Sequence, residues 1–173
     1  LLVGRQFEDA KSRAEKALAT TPAHVPALIL RANALAGLNK VDDAVAEIEQ
    51  AITADPDRSE SYASLGLMQL IRGDRVQAEA AFKQAIGTNP KSAQARLALA
   101  NFYATSGRRE DAEAQFKAAL TIDPKHLLAN RALAYFYVAS GRAQLAEAHL
   151  KVVAEVAPHQ SGRLRRRPPQ ARE

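Results

Sequence analysis

The chain has 173 residues, a formal net charge of +5 and neither Cys nor Trp, which is the size of one domain or one short repeat array. No disulfide, thiol nucleophile or Cys-based metal site is open to it, and no apolar run reaches the roughly 18 residues needed to span a membrane. Most of the charge sits in residues 161–173, where Arg163, Arg165, Arg166, Arg167 and Arg172 stand against the single acid Glu173, so the near-neutral remainder argues against a nucleic-acid surface on the body.

Alanine is the commonest residue, and helix formers dominate throughout. In chain order, the apolar spacing predicts a first helix over Phe7–Thr20. Four helical pairs follow, near 25–38 and 41–54, 59–72 and 75–88, 93–106 and 109–122, and 127–140 and 143–157. The chain opens on Leu rather than Met, which suits a fragment of a longer protein. Its composition hints at a bacterial source, and the absence of Cys fits cytoplasm and periplasm equally.

The pairs share one period. Pro22, Pro56, Pro90, Pro124 and Pro158 are each 34 residues apart. With this proline at position 32 of a unit, units run over 25–58, 59–92, 93–126 and 127–160, and residues 1–24 form a partial one. Position 20 is Ala10, Ala44, Ala78, Ala112 and Ala146. Position 8 is always small: Ala32, Gly66, Ala100 and Ala134. Such residues let two helices approach closely, and Phe82 or Phe116 at position 24 fills the space beside them. Position 15 is Asn39, Gly73, Gly107 and Gly141, suited to the left-handed backbone that ends a helix. Proline lacks an N–H and restricts the residue before it, so the second helix stops ahead of it.

This pattern resembles the tetratricopeptide repeat, most clearly in Leu65-Gly66, Ala78, Phe82, Ala85 and Pro90. The resemblance covers residues 1–160 and implies an all-α, right-handed superhelical solenoid of four full repeats after an N-terminal partial one, with residues 161–173 as a basic Arg/Pro-rich tail. Position 4, often Trp in the family, is Leu28, Tyr62, Arg96 and Asn130 here. The resemblance also implies a non-enzymatic protein–protein interaction module, with a peptide or helix of a partner held on the concave face.

Turning each first helix by 100° per residue places positions 2, 5, 9, 12 and 13 opposite the core positions. That face reads Ile29 and Asn33 in the first unit, then Leu67, Leu70 and Ile71. It continues through Leu97 and Asn101 to Arg131, Tyr135 and Val138. The apolar members form a stripe the hairpin core does not require, and large exposed patches mark binding sites. Asn33 and Asn101 offer a donor and an acceptor to a peptide backbone. Tyr135 has an apolar face with a polar tip, and Arg131 suits a carboxylate. The bland alternative is that positions 5 and 12 simply pack between neighbouring first helices. Chaperone-associated members of the family grip an acidic tail with basic residues. Ile29, Ala63 and Leu97 stand where those residues would be needed, so that specificity is not expected.

The last helix carries Leu145, Val152 and Val156, spaced by seven and four, and at the positions of Leu145 and Val152 earlier units are polar or small. They suggest a self-associating scaffold as the alternative function, with a homo-oligomer as the partner. A regulatory or targeting segment of a larger enzyme or secretion component is a further alternative. His24, His126, His149 and His159 have no metal-ligand spacing, and no phosphate loop or nucleophile elbow occurs. No cofactor and no metal are expected. The tail is read as disordered linker, as a remnant foreign to the native protein or translated out of frame, or as a phosphate-binding segment. Any nucleic-acid contact is expected from the tail alone.

Overall fold

A computed structural model describes residues 2–156, with side chains from residue 4 onward; the tail 161–173 lies outside this range. Among the described residues there are nine helices: α1 (Leu2–Thr20), α2 (Val25–Gly37), α3 (Val41–Ala54), α4 (Ser59–Arg72), α5 (Arg75–Thr88), α6 (Ala93–Thr105), α7 (Arg109–Ile122), α8 (Leu127–Ala139) and α9 (Ala143–Val156). None is long and apolar enough to cross a membrane.

The turns follow from single residues. Asn39, Gly73, Gly107 and Gly141, one per unit, have φ of 63°, 91°, 75° and 76°, the left-handed backbone that reverses the chain after the first helix. Helices α1, α3, α5 and α7 each end two residues before the repeating proline. The next helix is capped by Ser92, whose hydroxyl accepts from the Ala95 N–H at 3.1 Å, and by His126, whose Nδ1 accepts from the Ala129 N–H at 3.1 Å. Helix α1 begins at Leu2 rather than at the expected Phe7. Its position 15 is Arg5, which has no preference for positive φ, so the stretch that forms a turn in the other units winds on as helix.

Ala44, Ala78 and Ala112 are fully buried between the helices of their hairpins, as are Ala51, Ala85 and Ala119. At Gly66 the approach is so close that an added Cβ would lie 2.6 Å from the Phe82 ring. Each helix packs on its neighbours in sequence, and α2, α4, α6 and α8 also touch one another in order, forming one layer of the solenoid. In the two C-terminal hairpins the absent tryptophan is replaced by a polar pair that joins the first helix to the second within each hairpin. Arg96 donates to Gln115 at 3.3 Å. Asn130 Oδ1 lies 2.9 Å from His149 Nδ1, while its Nδ2 donates to the carbonyls of Pro124 and His126. The amide oxygen is therefore the acceptor, and His149 Nδ1 carries the proton. Burial pushes the His149 pKa below its usual value.

Candidate peptide-binding groove

The layer of first helices leaves a concave face. A hollow on this face spans α4, α6 and α8 and has a volume of about 720 Å³. Leu67 and Leu70 come from α4, Asn101 from α6, and Arg131 and Tyr135 from α8. Leu67 is exposed, Leu70 half-buried, and Tyr135 stands 76% exposed at the rim. Phe82 and Phe102 also line the hollow.

Leu97 differs from its expected role. It lines the same hollow but is only 4% exposed and belongs to the large apolar cluster of the C-terminal hairpins. Helix α6 has first helices on both sides, and its position 5 is closed between them, so Leu97 supplies floor and not a projecting anchor. Ile29 shows the same tendency and is half-buried against the N-terminal clusters. Arg131, the equivalent in α8, remains exposed.

Ile29, Asn33, Ile71 and Val138 lie outside this hollow. Asn33, Ile71 and Val138 are exposed. Leu128 and Gln94, at position 2 of the same helical face, also line the hollow. Arg131 makes no ion pair among the described residues. It is a cation beside an apolar floor, in a hollow that Gln94 and Asn101 also line. Leu145 on α9 is half-exposed, and Val152 and Val156 are partly buried.

A second feature escaped the sequence reading. Glu79 accepts hydrogen bonds from Lys83, Arg108 and Tyr103, and Glu113 accepts from Lys117, Arg142 and Tyr137. The lysine contact first, then the arginine and the phenol, hold each carboxyl down to about 2 against the opposing effect of burial. Recurrence of Glu, Lys, Tyr and Arg at a spacing of 34 was the available signal. These clusters tie one hairpin to the next.

A family profile described as tetratricopeptide repeat matches residues 4–66, 69–118 and 107–166. The chain is similar to the crystal structure of TTC0263, a thermophilic TPR protein in Thermus thermophilus. The TM-score is 0.80 at 27% identity, over 95% of this chain and 94% of that one. It is also similar to PilW, a widely conserved type IV pilus biogenesis factor, with a TM-score of 0.70 at 26% identity, over 88% of this chain and 70% of that one. A curated relative, the Hsp70-Hsp90 organizing protein of Triticum aestivum, is 34% identical over 77 residues. That stretch is 44% of this chain and 13% of the relative's length.

Proposed function

Because the chain belongs to the tetratricopeptide repeat family, we propose that it is a non-enzymatic protein-interaction module that holds a short peptide or helix of a partner in the groove across α4, α6 and α8. The observation that carries this reading is the hollow itself, where Leu67 and Tyr135 project apolar surface that the fold leaves open. The fitting ligand has one or two apolar anchors and a carboxylate. The anchors cover Leu67 and the Tyr135 ring, and the carboxylate meets Arg131. Burying a side chain of Leu or Phe size yields about 1.5–3 kcal/mol. Lost rotational freedom and side-chain ordering offset much of the sum, which leaves micromolar-class affinity.

The Hsp70 and Hsp90 in the wheat relative's name are not carried over to this chain. Ile29, Ala63 and Leu97 occupy the positions where an acidic-tail clamp would place basic side chains, so a mainly electrostatic grip is not available.

Selection of a displayed random-peptide library on the full chain tests the groove. Enriched peptides share an apolar residue near an acidic one, and their binding is lost in Leu67→Glu and in Tyr135→Ala. Peptides that bind both variants as tightly as the parent would remove the groove assignment. A self-associating scaffold is the second reading, favoured by the half-exposed Leu145, which stands where other units carry Asp43, Gln77 and Asp111. It requires an oligomeric mass in light scattering that falls on Leu145→Asp combined with Val152→Asp.

A further inference from the structure

Two junctions in the array are built alike. Where α6 lies on α5, Phe102 sits against Phe82 with ring centroids 5.8 Å apart. Tyr103 donates to Glu79 Oε1 at 3.0 Å. Arg108, five residues after that tyrosine, donates to both Glu79 oxygens at 2.9 Å and lies 4.2 Å from the centroid of the Tyr103 ring. Lys83 closes the cluster at 2.8 Å. The second junction stands 34 residues on, where α8 covers α7. Phe136 meets Phe116 at 5.6 Å, and Tyr137 donates to Glu113 at 3.1 Å. Arg142 contacts Glu113 at 2.6 Å, and Lys117 does so at 2.8 Å. The covered rings are sealed, Phe82 and Phe116 each being 1% exposed.

Helix α9 repeats the receiving half of this junction. Glu147, Leu150 and Lys151 stand 34 residues after Glu113, Phe116 and Lys117. Leu150 is 49% exposed, whereas its equivalent in α3, Ile48, is at 0%. Glu147 and Lys151 are exposed, and no ion pair joins them to each other or to any other described residue. In the sequence, the next stretch in register is 161–173. It puts Pro168 and Pro169 at positions 8 and 9, and Gln170 and Ala171 where the two junctions have Phe and Tyr. The complementary half of the junction is therefore not found there.

We propose that this face of α9 is a docking site for a helix of a separate polypeptide carrying an adjacent Phe-Tyr pair with Arg five residues after the Tyr, extending the stack from outside. The phenylalanine covers Leu150. The phenol and guanidinium converge on Glu147, whose charge they neutralise as Tyr137 and Arg142 do for Glu113. Opposite charge and matching apolar surface at one interface provide both selection and retention. The site is on α9, the last described helix, separate from the groove, and does not depend on what the groove binds.

A fluorescein-labelled peptide with the sequence of residues 127–142, which contains Phe136-Tyr137 and Arg142, is titrated with the full chain and followed by anisotropy. Saturable binding is expected, weakened about tenfold or more by Leu150→Asp and by Glu147→Arg. A peptide carrying Arg142→Glu recovers binding to the Glu147→Arg chain. Both changes lie at exposed positions, and unchanged circular dichroism shows that the variants fold. Tyr135→Ala binds as the parent does. Absence of saturation, or binding indifferent to both α9 variants, overturns the proposal. So does binding lost in Tyr135→Ala, which would place the helix in the groove. Light scattering provides a further test: a dimer dissolved by Leu150→Asp would assign the face to a second copy and overturn the proposal equally.

Discussion

Gly66 shows two residue-scale effects in opposition. It lies within α4, where replacing Gly by Ala gains about 1 kcal/mol of helix propensity. The new methyl would meet the Phe82 ring at 2.6 Å, and Phe82 is itself sealed between α4 and α6, 1% exposed. The ring would have to shift out of its packed position, and overpacking of this kind costs about 1–3 kcal/mol. The clash therefore wins. Gly66→Ala is expected to lower stability by about 1 kcal/mol, or roughly 2–4 °C in the thermal midpoint for a chain of this size. A midpoint raised in a calorimetric scan would mean that the two helices separate more easily than their packing implies. The other small residues at this position, Ala32, Ala100 and Ala134, are also at 0–1% exposure, so the tolerance at the hairpin crossing is set to within one methyl group.

The junctions between hairpins act through whole elements, and their charge makes them sensitive to acid. Glu79 and Glu113 have folded pKa values lowered from 4.5 to about 2, first by their lysine contacts. A carboxyl that is more acidic folded than unfolded stabilises the fold above its unfolded pKa, and that stability is lost as pH falls through the folded value. The array is therefore expected to weaken between about pH 4.5 and pH 2. Glu113→Gln should lower stability at pH 7 by roughly 1–2 kcal/mol, since a charge-assisted cluster is reduced to weaker neutral contacts. It should also flatten the acid limb of a denaturant-midpoint-against-pH curve; a limb of unchanged slope would exclude this carboxylate as its source. Helix ends were legible in the sequence because Pro, Gly and Asn act on the residues beside them. The start of α1 was not, because at Arg5 the deciding factor was the absence of such a residue. The groove was legible as a helical face, yet the burial of Leu97 depended on neighbours on both sides of α6, which a wheel of one helix does not contain. The Glu–Lys–Tyr–Arg clusters join residues up to 29 apart in sequence, and only the stacking geometry brings those residues within reach.

For the molecule as a whole, stability in a repeat array is close to a sum of units and the interfaces between neighbours, so the weakest interface decides where it opens. Apolar burial runs without interruption from Ala78 to Ala146 through the C-terminal hairpins, while the N-terminal half has two smaller clusters. The halves meet at α4, which buries Ser59, Ser61, Ser64 and Gln69. Ser61 Oγ and Gln69 Oε1 have no hydrogen-bond partner among the described residues, and such a buried group costs about 1–3 kcal/mol. Gln69 occupies the position from which Tyr103 and Tyr137 reach the preceding second helix. In its case the equivalent of Glu79 is Val45, which offers nothing to bond. The groove thus lies mainly on the C-terminal side of this seam, where α6 and α8 hold Asn101, Arg131 and Tyr135 on one continuous apolar core. Native-state hydrogen exchange should find α1–α3 opening at lower free energy than α6–α8. Gln69→Leu removes the unpaired amide oxygen and puts an apolar side chain in its place. It is expected to raise the protection of α2 and α3 by about 1 kcal/mol, narrowing the difference between the halves, with little change in α8. Equal protection along the parent chain, or a gain spread evenly over all helices, would show that α4 transmits stability as well as any other junction.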